Sequence, residues 1–113
     1  MADRDHDLIE HILRYCNQIE TAHHDFFNSE DVFHKSTTYQ NAISMCILQI
    51  GELVNHLSDG FKAIHSEIPW RQIKGMRNYV AHEYGSIDLD VVWQASTVSI
   101  QSLRDFCERY LRN

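Results

Sequence analysis

The chain has 113 residues, 43% of them hydrophobic and 23% charged, with a formal net charge of −6 at pH 7. This length suffices for one hydrophobic core but not for two, so we expect residues 1–113 to form a single helical domain. One proline and four glycines are too few for the many turns of an all-β protein. No apolar run approaches the roughly 20 residues of a membrane helix. The N-terminus is acidic where a secretory signal is basic, which predicts a cytoplasmic protein without a membrane partner.

Apolar residues recur at three- and four-residue spacing along the chain, which predicts helices throughout. We expect a first helix over about residues 4–27, a polar break over 28–36, and a second long helix ending near Leu57. A short third helix over 61–67 and a fourth from Pro69 to about Tyr84 follow. A last helix begins after Ser86 or Asp88. The predicted fold is all-α, a compact up-and-down bundle of four to five helices.

Gly51 lies inside the second predicted helix, where it costs about 1 kcal/mol relative to alanine. A close approach by another helix backbone would explain a glycine there. We therefore interpret Gly51 and the neighbouring Glu52 as architectural, unless Glu52 faces a cleft.

The cysteines and histidines give little support for thiol or metal chemistry. The three cysteines, Cys16, Cys46 and Cys107, are widely spaced in apolar helical context and form no CxxC pair, so we expect buried small hydrophobes. Helical i,i+4 spacing pairs two histidines with glutamates, namely His6 with Glu10 and His24 with Glu20. No third ligand is spaced to complete either pair, so neither a metal nor another cofactor is expected.

The negative charge is concentrated at the N-terminal end. Residues 1–31 hold eight acids against two bases and account for the whole −6, whereas residues 62–77 hold four bases and one acid. The acidic segment is a solvated face or a docking surface for a basic partner. The basic segment predicts a local positive patch on an acidic body, although the overall charge argues against a large nucleic-acid interface.

The segment Pro69–Tyr84, PWRQIKGMRNYVAHEY, combines a fixed cation, an amide and an imidazole: Arg77, Asn78 and His82. A guanidinium holds phosphate and an imidazole moves protons near neutral pH, which suggests phosphodiester chemistry. Asn78 and His82 share a helix face. Arg77 and His82 lie about 140° apart around a helix. Their side chains converge only near a helix end or when a second copy contributes.

Several motifs in this region are shared with a known family. PWRQIKGMRNYVAHEYGSIDLDVVW resembles the signature region of HepT-like proteins of the HEPN (higher eukaryotes and prokaryotes nucleotide-binding) group. The hallmark is an arginine, four to six residues and a histidine, here Arg77 and His82, followed after one residue by a tyrosine, Tyr84. Supporting matches are the Ile-Gly-Glu of residues 50–52 and the Asp-Val-Val-Trp of residues 90–93. The resemblance covers nearly the whole chain.

The resemblance implies a dimeric all-α bundle in which two motifs share one cleft. It also implies a metal-independent endoribonuclease that acts as a toxin, paired with a small nucleotidyltransferase antitoxin able to transfer AMP to Tyr84. The substrate's 2′-OH would attack, leaving a 2′,3′-cyclic phosphate and a 5′-hydroxyl. His82 would move protons, Arg77 would hold the phosphate, and Asn78 would position His82 or a phosphate oxygen. Arg71 and Lys74 would contact the RNA backbone.

Two other classes of function fit the same residues. The cleft of a non-catalytic binding module would hold a nucleotide or RNA without cleaving it. In an interaction protein the motif would be a dimer seam and the acidic first helix would dock a partner. Taken singly, Arg77 is also compatible with a surface salt bridge, and His82 with a structural role near a helix C-terminus. Trp70 and Trp93 are interpreted as core or interface anchors.

Overall fold

The structure is a computed structural model that describes residues 3–113, with the side chains of Asp3 and Tyr84 left aside. Over that range the fold is all-α, as predicted, and contains no strand. The elements are α1 Asp3–Asp25, α2 Glu30–Lys35, α3 Thr37–His56, α4 Asp59–Ile64, α5 Trp70–His82, a 3₁₀ turn Tyr84–Ser86, α6 Leu89–Gln94, a π-helical turn Ala95–Ser99, and α7 Ile100–Arg112. No helix within the described range is long and apolar enough to cross a membrane.

The predicted polar break over 28–36 is wrong in part, because it contains the short helix α2. Ser29 caps this helix by accepting a hydrogen bond from the Val32 N–H at 3.2 Å. Phe33 turns inward and is fully buried. Ser36 ends α2 and also caps α3, accepting from the Tyr39 N–H at 3.1 Å. Two adjacent apolar residues, Val32 and Phe33, among polar ones show no helical period, although both serine caps are visible in the sequence.

The first helix ends at Asp25, two residues earlier than predicted, because Phe27 and Asn28 take positive φ values of 63° and 51°. The Asn28 N–H donates to the His23 carbonyl at 2.7 Å and closes the last turn. Such left-handed residues are a common helix stop, usually filled by glycine or asparagine. Phe27 consequently points away from the core and is 84% exposed.

One hydrophobic core joins the helices. α1 packs against α3 and α7, and α3 packs against α5. The second long helix is confirmed as α3. Its buried apolar face, with the C-cap Leu57, consists of Tyr39, Ile43, Cys46, Ile47, Ile50, Val54 and Leu57. Trp70 and Trp93 pack against the core, as expected of anchors. α3 is therefore the central helix against which α5, the helix with the arginine and histidine, is positioned.

A buried polar network joins the end of α1 to the π-helical turn. The His23 ring hydrogen-bonds through Nδ1 to the Tyr39 hydroxyl and through Nε2 to Ser96 Oγ at 3.0 Å. Ser96 and Thr97 both donate to the Trp93 carbonyl, at 3.1 and 2.7 Å. Hydroxyls bonded back to a carbonyl compete with the helical ladder and favour a local π turn. The sequence predicted an uninterrupted last helix, which is wrong at this turn.

Side-chain oxygens also cap the elements next to α5. Ser58 caps α4, which begins two residues and ends three residues before the predicted 61–67 helix. Asp5 of α1 accepts from both the N–H and the hydroxyl of Ser58, at 2.9 and 2.7 Å. Asp88, one of the two predicted caps, accepts from the Asp90 N–H at 2.9 Å and starts α6. The α3–α4 turn and the start of α6 are thus fixed by short polar contacts.

Candidate functional site

The site is built where α5 crosses α3 at Gly51. A Cβ placed on Gly51 would lie 2.2 Å from the Arg77 Cβ and 2.5 Å from its Cγ, closer than carbon atoms can approach. The glycine therefore gives Arg77 the room to lie in the seam between the two helices. This confirms the packing interpretation of Gly51, with the arginine side chain as the group that approaches.

The Arg77 guanidinium is held in this seam by two neighbours. Nη2 lies 3.4 Å from Glu52 Oε1 of α3, and Nη1 donates to Asn78 Oδ1 at 3.0 Å. Nε is buried and has no hydrogen-bond partner within the described part of the chain. Glu52 thus faces the site, the exception that the sequence interpretation allowed. The adjacent Gly51-Glu52 pair in the sequence was the signal: one residue makes room for Arg77 and the next binds it.

His82 is the last residue of α5 and its side chain is exposed. Among the described side chains, no hydrogen bond or ion pair joins it to Arg77. The structure therefore places Arg77 beside Asn78, as their adjacency in the sequence suggests, whereas His82 stands apart at the helix end. A free imidazole at a helix terminus is accessible to a bound ligand and to a second protein chain.

Contacts beyond His82 fix the end of the helix. The Glu83 N–H donates to the Tyr79 carbonyl at 2.9 Å. The Asp88 N–H donates to the Tyr79 hydroxyl at 2.8 Å. α5 ends at His82, slightly before the predicted end, and the 3₁₀ turn Tyr84–Ser86 follows it. The side chain of Tyr84, the predicted modification site, lies outside the described part of the structure.

The predicted RNA contacts, Arg71 and Lys74, are both exposed on α5. They line a groove of about 630 Å³ between α3, α4 and the start of α5. Lys62 of α4 lines the same groove. Three of the four bases in the basic segment therefore share one surface, and the fourth, Arg77, lies further along α5.

A second groove, of about 430 Å³, is apolar and lies on the other side of α5, against the π-helical turn. Ile73 and Met76 of α5 line it together with Val98. Val98 is 54% exposed, and Val91 of α6 is 39% exposed. α6 and the π-helical turn therefore each leave one valine uncovered in this chain, in grooves that Met76 of α5 also lines.

The cysteines are free and buried, as the sequence predicted. Burial raises the pKa of Cys46 to about 11 and that of Cys107 to about 12. Burial also raises the pKa of Cys16, and the neighbouring Cys107 acts in the same direction. A thiol is nucleophilic only as the thiolate. These residues are thus unsuited to covalent catalysis at neutral pH.

Two clusters of exposed side chains bring three metal-ligating groups within 4.8 Å of one another. His6, Asp7 and Glu10 form one of them, so the expectation that His6 and Glu10 lack a third group is wrong: Asp7 is adjacent to His6 in α1. Glu30, His34 and Asp90 form the other. In this second cluster His34 Nε2 lies 3.1 Å from Asp90 and 3.5 Å from Glu30. Each cluster consists of exposed acids around an exposed histidine, an arrangement that is common on protein surfaces without a metal ion.

Comparison with known proteins identifies the family. The sequence profile described as Ribonuclease HepT-like matches residues 9–110. The chain is 34% identical over 84% of its length, and 83% of the other protein, to one from Caldanaerobacter subterraneus subsp. tengcongensis named "Putative RNase TTE0752". It is 30% identical over 91% of its length, and 92% of the other protein, to "Probable ribonuclease HepT" of Thermococcus cleftensis.

A third relative, from Methanocaldococcus jannaschii, is named "Putative RNase MJ0125" and is 26% identical over 90% of the chain and 86% of its own length. No solved structure matches the chain. The profile covers both the arginine–histidine segment of α5 and the Gly51–Glu52 pair of α3 that holds it. The chain belongs to the ribonuclease HepT-like family.

Proposed function

We propose that this protein is a metal-independent endoribonuclease that acts as the toxin of a toxin–antitoxin pair. The observation that carries the proposal is the placement of Arg77, whose guanidinium lies in the α3–α5 seam between Glu52 and Asn78. Such a cation is suited to holding a phosphate oxygen. The names of its relatives, which refer to ribonuclease activity, support the same class of substrate.

The reaction uses the nucleophile that RNA itself supplies. The 2′-OH attacks the adjacent phosphorus while a His82 imidazole removes its proton, and the bond from phosphorus to the 5′-oxygen breaks. The leaving oxygen takes a proton, which yields a 2′,3′-cyclic phosphate and a 5′-hydroxyl end. Arg77 stabilises the negative charge that develops on the phosphate oxygens. Asn78, hydrogen-bonded to Arg77, holds the guanidinium in place.

A homodimer would complete this site. His82 stands exposed at the end of α5 and has no contact with Arg77 of its own chain among the described side chains. The apolar groove with Ile73, Met76 and Val98 lies on the same helix. If two copies cover this groove, the two α5 helices approach each other and the two Arg77–His82 sets share one cleft. One histidine then serves as base and the other as acid.

The proposed antitoxin is a small nucleotidyltransferase that modifies Tyr84. The phenol oxygen of Tyr84 attacks the α-phosphorus of ATP, pyrophosphate leaves and a phosphodiester to AMP forms. Tyr84 lies two residues beyond His82, in the 3₁₀ turn that follows α5. A bulky anion there competes with RNA for the same space and the same cation.

A cleavage assay in excess EDTA tests the ribonuclease proposal. Wild type, R77A and H82A are incubated with RNA, and the ends of any product are analysed. Two matched controls are available. R104A removes an arginine paired with Glu20 at 3.3 Å on the far side of the bundle, and H24A removes an exposed histidine of α1. Wild type and both controls should cleave and leave cyclic phosphate ends, whereas R77A and H82A should not.

Two results would overturn the proposal. If EDTA abolishes RNA cleavage and Mg²⁺ restores it, the proposal that the enzyme is metal-independent is wrong. RNA binding without cleavage, by a folded and unmodified dimer, would establish a non-catalytic binding module in its place. The toxin assignment is tested separately by expression in a host. Growth inhibition should disappear in H82A, and co-expression of a nucleotidyltransferase should relieve it for wild type but not for Y84F.

A further inference from the structure

The groove between α3, α4 and α5 is a second surface of the molecule with a defined chemical character. It holds about 630 Å³ and is lined by three cations from two helices, Lys62, Arg71 and Lys74. None of its lining residues is acidic. Among the described residues these three cations form no ion pair, whereas Arg77 and Arg104 both do. In a chain of net charge −6, these three cations share one groove whose lining holds no acid.

The remaining lining groups suit a nucleic acid better than a small ion. Asn55, Gln72 and the partly buried Trp70 also line the groove. Trp70 is fixed in place, because its Nε1–H donates to the His65 carbonyl at 3.0 Å and its ring meets Phe106 edge to face. A rigid aromatic side chain beside cations is the combination that binds single-stranded nucleic acid, with bases on the ring and phosphates on the cations.

The groove leads towards Arg77. Lys74 precedes Arg77 by three residues of α5 and Arg71 precedes it by six, which is about 4.5 Å and about 9 Å along the helix. α3 follows the same path in the opposite direction, since Gly51 meets Arg77 while Asn55 lines the groove. A strand whose phosphate is held by Arg77 would therefore continue along the α3–α5 seam into the groove.

We propose that this groove, with Lys62 as its third cation, binds the phosphates of single-stranded RNA next to the one held by Arg77. The inference rests on the proposed ribonuclease function and extends it with a subsite outside the reacting atoms. Recognition there is independent of base sequence, because cations contact phosphates and the indole stacks on any base. The substrate is accordingly a single strand of several nucleotides, and a dinucleotide fills the Arg77 site alone.

The double variant K62Q/R71Q tests the groove, and K35Q/R14Q is its matched control. Lys35 and Arg14 are exposed cations elsewhere in the bundle, so both variants change the net charge equally. Binding is measured by fluorescence anisotropy at several salt concentrations. The probes are 2′-O-methyl RNA oligonucleotides of two and twelve nucleotides, which lack the attacking hydroxyl. K62E is a second variant. Its substitution lies on α4, so it leaves α5, the helix that carries Arg77 and His82, unchanged.

K62Q/R71Q should bind the 12-mer about tenfold more weakly than the control. The plot of the logarithm of its association constant against the logarithm of the salt concentration should be less steep by about 1.4. Binding of the dinucleotide should stay within about twofold for both variants. K62E should weaken the 12-mer in the same direction. If K62Q/R71Q and the control bind the 12-mer with equal affinity, the proposal that the groove binds RNA is overturned, even if wild type cleaves RNA. If K62Q/R71Q selectively loses binding of the 12-mer but wild type cleaves no RNA, the groove proposal is supported and the ribonuclease proposal is overturned.

Discussion

Glu52 Oε1 lies 3.4 Å from Arg77 Nη2, so the guanidinium proposed to hold a phosphate is held by a carboxylate in the free protein. The Arg77 side chain is 32% exposed and that of Glu52 is 52% exposed. Ion pairs at such positions contribute at most about 1 kcal/mol. We therefore expect that a phosphate would displace the carboxylate at small cost, so that Glu52 would compete with RNA for Arg77.

Replacing this carboxylate should strengthen RNA binding. In E52Q the negative charge near the phosphate site is lost while the shape of the side chain is kept, so we expect a several-fold lower Kd for an uncleavable 2′-O-methyl oligonucleotide. E20Q is the matched control, because Glu20 pairs with Arg104 at a similar 3.3 Å on α1 and α7. Anisotropy titrations measure both. An unchanged or weaker affinity of E52Q would show that Glu52 does not compete with RNA.

Two glycine-to-alanine changes should have opposite effects on stability. In G51A the new Cβ would meet the Arg77 Cβ at 2.2 Å, which forces α3 and α5 apart, so we expect a loss of about 1–3 kcal/mol. In G75A the new Cβ meets nothing within 4 Å in the interior of α5, so we expect a gain of up to about 1 kcal/mol. Urea unfolding measures both variants.

The same pair separates packing from function. G51A displaces Arg77, so its RNA cleavage should fall by at least tenfold under conditions in which the variant is still folded. G75A should retain wild-type cleavage. Full activity of folded G51A would indicate that the position of Arg77 in the seam is unimportant.

The site residues differ in how far the sequence could place them. The hydrophobic period predicted α3 and the α5 segment well, because each has a continuous apolar face. Gly51 is readable as a close approach because a glycine costs stability in a helix interior. Its partner was not readable, since Arg77 lies 26 positions further along and only the folded α3–α5 seam brings the two together.

The elements that the sequence missed are those set by single polar contacts. α2 depends on the Ser29 cap and one buried phenylalanine, and the end of α1 depends on the backbone of Phe27 and Asn28. The π turn depends on Ser96 and Thr97 bonding to the Trp93 carbonyl. Such contacts carry no period, and a serine in a helix gives no indication of which carbonyl it will bind.

The buried His23 should make the protein less stable in acid. Burial lowers the pKa of His23, and the hydrogen bond with Ser96 opposes this only in part. The unfolded chain takes up the proton near pH 6.5, whereas the folded chain does so only at lower pH. Below about pH 6.5 the unfolded state thus binds more protons, and the stability that neutral His23 contributes is lost as the pH falls towards its folded pKa.

Substitution at two adjacent histidines measures this effect. Between pH 7.5 and pH 5, wild type should lose more free energy of unfolding than H23Q, whose buried amide does not titrate. H24Q should behave as wild type, because His24 is exposed. Tyr39, the other titratable group bonded to His23, stays neutral over this range because burial raises its pKa to about 12. Equal pH dependence of wild type and H23Q would assign acid sensitivity to other groups.

A charge in the apolar groove should prevent the proposed dimer. Val98 is 54% exposed and lines the groove beside α5. In V98D a carboxylate would have to be buried between two copies, so we expect a monomer by analytical ultracentrifugation and the loss of RNA cleavage. I64D is the matched control, since Ile64 is 77% exposed on α4, outside the groove. A dimeric V98D would place the interface elsewhere.

The three buried thiols can report local opening of the helices that carry them. Cys16, Cys46 and Cys107 lie on α1, α3 and α7, and each is buried with a raised pKa. A thiol reagent can react with each only after its helix has opened, so labelling followed by peptide mapping times the three openings separately. The central helix should open last. The labelling rates of these natural cysteines, measured with and without RNA, thus show whether RNA slows the opening of the helices, and no introduced probe is needed.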